Sequence, residues 1–397
     1  MDISIRGLFG YFDYDISVQD GDITILTGPN GFGKSTIIGC LEAIANSNLS
    51  FFLDLDFEKI VISDLDINKN LEIVNEEASL IINEKKIDKR NVRYLMRGVN
   101  LEKEIDDFSQ ALSYQKVLRE MNEILKGVKL IHEQRLIKNL IPRRTIDKDG
   151  IKRPAAVRGR VTQQIREVPN KLYEKMQEVE KRYSQVSNEL DSTYPQRLFR
   201  QNEGVNEEEF HEKLQLMSDK VNKLNQYGIS KVKGLKNVSF RTEDARALKV
   251  YFEDFDRKYQ EYKEFIECLE LFEDIVNRRF KFKHIEVTND DGLRVRDQKH
   301  GHYIPLSKLS SGEQEIIVLF YELLFEVPKG ILLLIDEPEI SLHIAWQRLF
   351  MEDLEKIVSM KKWTVLVATH SPQIISGNRE RQIDLGELYK NGLNQRK

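Results

Sequence analysis

Over residues 1 to 135 apolar and polar positions alternate in short runs separated by turns. ISIRGLF (3–9), YDISV (14–18) and ITILTG (23–28) read as strands, and the third feeds a glycine-rich turn and the helical stretch KSTIIGCLEAIAN (34–46). FEKIVIS (57–63), NLEIV (70–74) and SLIIN (79–83), parted by Asp, Asn and Lys, predict an antiparallel meander. A helix is expected from about Glu102 to Leu125, ending at Lys126-Gly127, followed by a strand VKLI at 128–131.

The period then changes. Leu172, Met176, Val179, Tyr183, Val186 and Leu190 recur at intervals of four and three, and Tyr194-Pro195 is expected to stop them. Phe210, Leu214, Met217, Val221 and Leu224 repeat the pattern. A third stripe runs from Leu248 through Phe252, Phe255, Tyr259, Tyr262, Ile266 and Leu269 to Val276, with Glu273 interrupting it. The longest of these helices is expected to reach about 42 Å at about 1.5 Å per residue. That length suits an ordinary bundle or a short protruding coiled coil, not a long rod. From Phe280 the strand and helix alternation returns, and GILLLIDEP (330–338) and WTVLVATH (363–370) have the continuous apolar runs of parallel strands covered on both faces. The expected class is α/β, with a discontinuous head of 1–135 and 280–397 interrupted by a helical insertion over 136–279.

Composition changes little. The 397 residues include 61 basic and 65 acidic ones, a net charge of −4, so the overall balance names no partner. A mean hydropathy of −0.48, no apolar run of membrane-spanning length and no signal-like N-terminus predict a cytoplasmic protein with no membrane partner. Cys40 and Cys268 sit in apolar helical patterns and read as buried thiols. One segment stands out: residues 135–166 hold ten basic side chains against Asp147 and Asp149, a local net charge of +8. It suits nucleic-acid backbone, an acidic partner or a solvated linker, and without aromatics it gives base stacking no support.

The chemistry begins at GPNGFGKST (28–36), where Gly28, Gly33, Lys34 and Ser35 satisfy the spacing of a phosphate-binding loop between strand and helix. Backbone N–H groups of Asn30, Gly31, Gly33, Lys34, Ser35 and Thr36 can wrap the β- and γ-phosphates, Lys34 can neutralise the transferring group, and Ser35 can offer its hydroxyl to Mg²⁺. No guanine-reading Asn-Lys-x-Asp occurs, so ATP is expected. Asp336 at a buried strand end can hold Mg²⁺ through water, and Glu337 can take a proton from the attacking water. His370 can bond the γ-phosphate and position Glu337, and Gln134 can reach the Mg²⁺ or the water.

A second Ser/Gly loop, LSSGEQ (309–314), places Ser310, Ser311, Gly312 and Glu313 at the start of an apolar helix. One nucleotide needs one cradle. The second loop is useful if it closes on the ATP of another copy, which predicts a head-to-tail homodimer.

Together these motifs make the chain similar to the ABC-type ATPases, P-loop NTPases whose soluble branch includes Rad50, SMC, RecF and OLD-like proteins. GPNGFGKST resembles the Walker A loop, LSSGEQ the signature, LLLIDEP the Walker B strand, EISLH the D-loop region and ATHSP the switch histidine. Ser311 and Glu313 depart from the transporter signature in the direction of the soluble branch. DEPEISLH and THSPQIIS look most like OLD-like proteins and the ATPase subunits of the PARIS and Septu anti-phage systems. The resemblance implies an ABC-type head with a short coiled-coil insertion. It also implies a sensor or scaffold subunit that restrains a nuclease, with DNA or a phage protein as trigger and higher oligomers open. The chain stops 27 residues after His370, so that nuclease is expected on another polypeptide. The alternatives are a repair ATPase of the RecF or Rad50 type and, against the long heptad-filled gap before the signature, a transporter ATPase subunit.

Overall fold

The computed structural model describes residues 1–64, 69–96, 108–125, 127–131, 137–138, 145–146, 152–153, 162–230, 239–340 and 342–395. In chain order the first elements are β1 (Asp2–Leu8), β2 (Phe12–Ser17), β3 (Ile23–Thr27), α1 (Lys34–Ala45), β4 (Lys59–Asp64), β5 (Lys69–Asn75), β6 (Ser79–Ile82) and β7 (Lys85–Asp88). Next come α2 (Lys89–Met96), α3 (Phe108–Ile124), β8 (Val128–Ile131), α4 (Val168–Arg200), α5 (Glu207–Gln226) and α6 (Ala245–Asn277). The chain continues with β9 (Lys283–Thr288), β10 (Gly292–Asp297), α7 (Ser311–Tyr321), β11 (Leu332–Asp336), α8 (Ile344–Lys361), β12 (Thr364–Ala368), α9 (Pro372–Ile375), β13 (Gln382–Asp384) and α10 (Leu385–Gln395). They form two compact units, 1–134 with 327–397 and 135–326.

The first unit holds two sheets. Six antiparallel strands run in the order β2-β1-β4-β5-β6-β7. Their alternating patterns put Ile3 opposite Ile62 and Ile5 opposite Ile60, and the same isoleucines meet Leu71 and Ile73 on β5. One face is therefore a continuous aliphatic layer, with all six of these side chains buried. The other sheet is wholly parallel, in the order β13-β3-β12-β11-β8. β3 is buried at every position and β12 at all but its first, as strands covered on both faces require. In register, Asp336 pairs with Ala368 and Ala368 with Leu26, so the carboxyl ends of β3, β11 and β12 emerge at one edge. Ligands bind at such an edge in parallel α/β sheets.

The second unit contains the three long helices. The expected stop at Pro195 does not occur: α4 runs on to Arg200 with the proline inside it. A proline removes one ladder donor and crowds the preceding turn. Just past the proline, Arg197 donates to the Leu190 carbonyl at 2.8 Å and its guanidinium forks onto Asp254 of α6, which ties this end of α4 to α6. Glu273, the break in the third stripe, accepts from Val287 N at 2.9 Å and from the Tyr227 hydroxyl at 3.1 Å. Burial raises its carboxyl above the ordinary range. It ties α6 to β9, which is why a carboxylate sits among the apolar positions.

Residues 280–326, expected with the head, cluster instead with the helical unit. Gly292, at a φ of 67°, lets the hairpin β9–β10 approach the start of α4; a Cβ there would lie 2.1 Å from the Pro169 carbonyl oxygen. Cys40 and Cys268 are buried free thiols, and burial pushes that of Cys40 up to about 12.

Candidate active site

The turn after β3 and the first turn of α1 form the phosphate loop. Gly33 precedes α1 at a φ of 89°, and a Cβ there would come 2.7 Å from Leu8 Cδ2, so both conformation and space exclude a side chain. No side chain caps α1 and no acid stands in its first turn. Its first N–H groups, those of Lys34, Ser35 and Thr36, are thus left to an outside anion. Beneath the loop, the Tyr14 hydroxyl donates to the Phe32 carbonyl at 2.9 Å, and Phe12 packs on Phe32 with ring centroids 5.0 Å apart. Lys34 is buried and folds back to donate to the Gly28 carbonyl at 3.0 Å. Burial lowers its pKa while Glu337 and Asp336 work in the opposite direction. Asn30 and Gly31 lie on the exposed outer rim of the loop.

At the end of β11, Asp336 Oδ1 accepts from Ser35 Oγ at 3.1 Å. A hydroxyl and a carboxylate are the hard oxygen donors that Mg²⁺ takes, so Ser35 and Asp336 would hold the ion here, directly or through water. Glu337 follows at a φ of 46°, an uncommon conformation for a residue with a side chain, held by its N–H donating to the Ala368 carbonyl at 2.9 Å. His370 Nε2 lies 3.4 Å from Glu337 Oε1. Burial, and then the Lys34 charge, lower the His370 pKa, so the ring stays neutral. The Glu337 carboxyl is pushed up to about 7, first by burial and then by the neighbouring Glu339 carboxyl. A carboxyl poised there is matched to taking a proton from water at neutral pH.

Gln134 lies outside the described residues. Glu339 carries no role in the sequence reading, yet its Oε1 accepts from Thr369 Oγ1, His370 N and Ser371 N at 2.6, 2.7 and 2.9 Å. The available signal was a second acid two positions after Glu337 in DEPE.

The signature residues belong to the second unit. Ser310 is the N-cap of α7, and its hydroxyl and backbone N–H both meet Glu313 in a capping box. Both Glu313 oxygens also accept from Lys283 Nζ at 2.8 Å. Glu313 therefore caps its own helix and pairs with Lys283. Ser311 is exposed and Gly312 half-buried at the tip. With the Ser311 hydroxyl, their N–H groups are what this end can present to an anion.

A family model described as an AAA ATPase domain matches residues 1–375. The chain belongs to that family. It is an ATPase-domain protein with an α/β P-loop head. A protein of Sulfurisphaera tokodaii named as an ABC transporter ATP-binding protein is similar to this family member, at 28% identity over 135 residues. The match covers 30% of the present chain and 28% of that protein, so the chain spans under a third of its relative's length. Among solved structures, the Smc head domain with an extended coiled coil from Pyrococcus furiosus, bound to the C-terminal domain of ScpA, aligns at 14% identity and a TM-score of 0.39, covering 100% of this chain and 99% of that one. The SMC head domain of Thermotoga maritima aligns at 12% identity and a TM-score of 0.35, covering 94% and 90%. No helix among the described residues is long and apolar enough to cross a membrane.

Proposed function

We propose that this ATPase-domain protein is an ATP-driven dimeric switch, the sensor or scaffold subunit of a two-component anti-phage complex that restrains a separately encoded nuclease in the cytoplasm. The observation that carries the switch is the uncapped, acid-free start of α1 beside Glu337 and His370 in one unit, with a second Ser/Gly helix start in the other. Lys34 and the N–H groups of 30–36 hold the phosphates. Mg²⁺, when bound at Ser35 and Asp336, supplies charge neutralisation for the departing phosphate. Glu337 takes the proton of the attacking water, and His370 keeps Glu337 and the γ-phosphate in line. The Ser311 and Gly312 end of one copy closes on the nucleotide of the other, head to tail. Such a reaction is slow and Mg²⁺-dependent, because it waits for two copies to meet. The nuclease assignment rests on the likeness of DEPEISLH and THSPQIIS to the PARIS and Septu subunits.

The test is phage plating. The protein alone should give neither toxicity nor protection. Expressed with the product of its neighbouring gene it should protect, and Lys34→Ala or Glu337→Gln should abolish that. Protection by the single chain, or by both variants undiminished, contradicts the scaffold reading. A second reading, a DNA-repair ATPase of the RecF or Rad50 type, draws on α4 and α6, each 33 residues or about 50 Å long. Copurification with recombination proteins in place of a nuclease would favour it, and a multispanning membrane partner would favour a transporter.

A further inference from the structure

Glu339 stands out because one of its oxygens gathers three donors from the loop that carries His370. That oxygen takes them from three successive residues, Thr369, His370 and Ser371, while Oε2 is buried. A second layer backs this up: Ser371 Oγ donates to Gln347 Oε1 at 2.7 Å, and Gln347 Nε2 donates to the Leu342 carbonyl at 3.0 Å. Thr369 is fully buried, so its hydroxyl cannot turn to water if the carboxylate is lost.

We propose that Glu339 is a positioning residue that fastens the 369–371 loop to the turn after β11 and thereby sets His370 against Glu337. The proposal deepens the ATPase reading and rests on it. The loop follows β12, the turn follows β11, and where the two strands end Glu337 N donates to the Ala368 carbonyl at 2.9 Å. Beyond it, Thr369 N donates to the Leu26 carbonyl of β3 at 3.1 Å, which holds the first residue of the loop and leaves the His370 N–H to Glu339. Glu339 grips all three loop residues, including the backbone N–H of His370 itself, so the imidazole keeps only its side-chain torsions. Charge-assisted bonds of this kind are stronger than neutral ones, which suits an element that must stay in place while nucleotide enters and leaves. Among the described residues Glu339 makes no hydrogen bond to the phosphate loop, so nucleotide affinity should not depend on it.

The experiment is steady-state ATP hydrolysis by the full chain carrying E339A, E339Q, H370A or E339A with H370A, alongside affinity for a fluorescent ATP analogue. E339A should lower kcat about a hundredfold, the scale of a misplaced catalytic group, with analogue affinity unchanged. E339Q keeps an acceptor for the loop and should restore kcat to within about fivefold of the unaltered chain. The double variant should be no slower than H370A alone, because Glu339 acts through His370. An E339A chain with full kcat, or losses that multiply in the double variant, would overturn the proposal. If E339A does not fold, T369V is read instead, where about a tenfold loss in kcat is expected and full activity counts against the proposal. Absence of hydrolysis by the unaltered chain would overturn the ATPase reading itself, whereas hydrolysis that E339A leaves intact would overturn this inference alone.

Discussion

Two helices in this molecule begin on a Ser/Gly turn, and they begin differently. α1 in the first unit starts from a left-handed glycine with no cap and no acid. α7 in the second unit starts with a complete capping box, and Lys283 balances the capping carboxylate. An uncapped helix start leaves donors and a positive dipole end unspent. It is built for an anion that belongs there. A capped start is already satisfied, so an anion meeting it gains only the remaining outer N–H groups and the Ser311 hydroxyl. The contrast suits a cis loop that holds nucleotide by itself and a trans loop that engages only when another copy brings nucleotide to it.

The contrast breaks most severely at the first loop. Lys34→Ala should reduce turnover at least about a hundredfold, as loss of one charged donor to the phosphates does. Gly33→Ala should match it, since a Cβ meets Leu8 at 2.7 Å and the φ of 89° disfavours any side chain. Nucleotide binding and phosphate release check both, and unchanged binding by either variant would remove the distinction drawn between the helices.

Glu337→Gln should cost about a thousandfold in kcat, within the range for removing a general base, while leaving ATP affinity intact. Equal loss of binding and turnover would deny Glu337 a role separate from Lys34.

The pH dependence is smaller. Glu337 must be ionised to accept a proton, and its carboxyl is pushed up to about 7. Acidification therefore protonates it and slows hydrolysis: the rate should fall about tenfold from pH 8 to pH 6, measured at saturating nucleotide. A rate flat across that interval would contradict the assignment of Glu337 as base.

The smallest effect sharpens the other side of the comparison. Glu313→Ala removes the reciprocal cap of α7 and should cost about 1 kcal/mol of stability in chemical denaturation, with ATP binding by the single chain unaffected. A loss of ATP binding here would mean that Glu313 serves the nucleotide and not its helix.

Much of this was legible in the residues because it depends on local rules. The parallel strands showed as apolar runs, the meander as alternation, and the phosphate loop as glycines ahead of Lys34. What stayed hidden depends on partners distant in sequence. Pro195 reads as a stop because nothing nearby shows that Asp254, 57 positions from Arg197, will hold Arg197 and with it the end of α4. Hairpin 283–297 reads as head because only the close approach of Gly292 to Pro169 reveals that it packs on the helices. Glu339 falls in the D-loop-like EISLH with no role of its own until the 369–371 loop, some 30 positions away, is seen to bond it. Glu313 reads as part of the second Ser/Gly loop, and its pairing with Lys283, 30 positions away, shows only in the structure. β7 and α2, polar and short, carry too little periodicity to be noticed.

The central claim is that one competent site needs two copies, and subunit mixing tests it most directly. Ser311→Arg places a bulky cation at the tip of α7 and should abolish turnover without weakening ATP binding. Lys34→Ala abolishes turnover from the other side. Mixed at equal amounts and allowed to exchange, the two inactive proteins should recover about a quarter of the unaltered activity, since half the dimers are mixed and each has one intact composite site. No recovery in mixtures whose mixed dimers are verified would contradict the account.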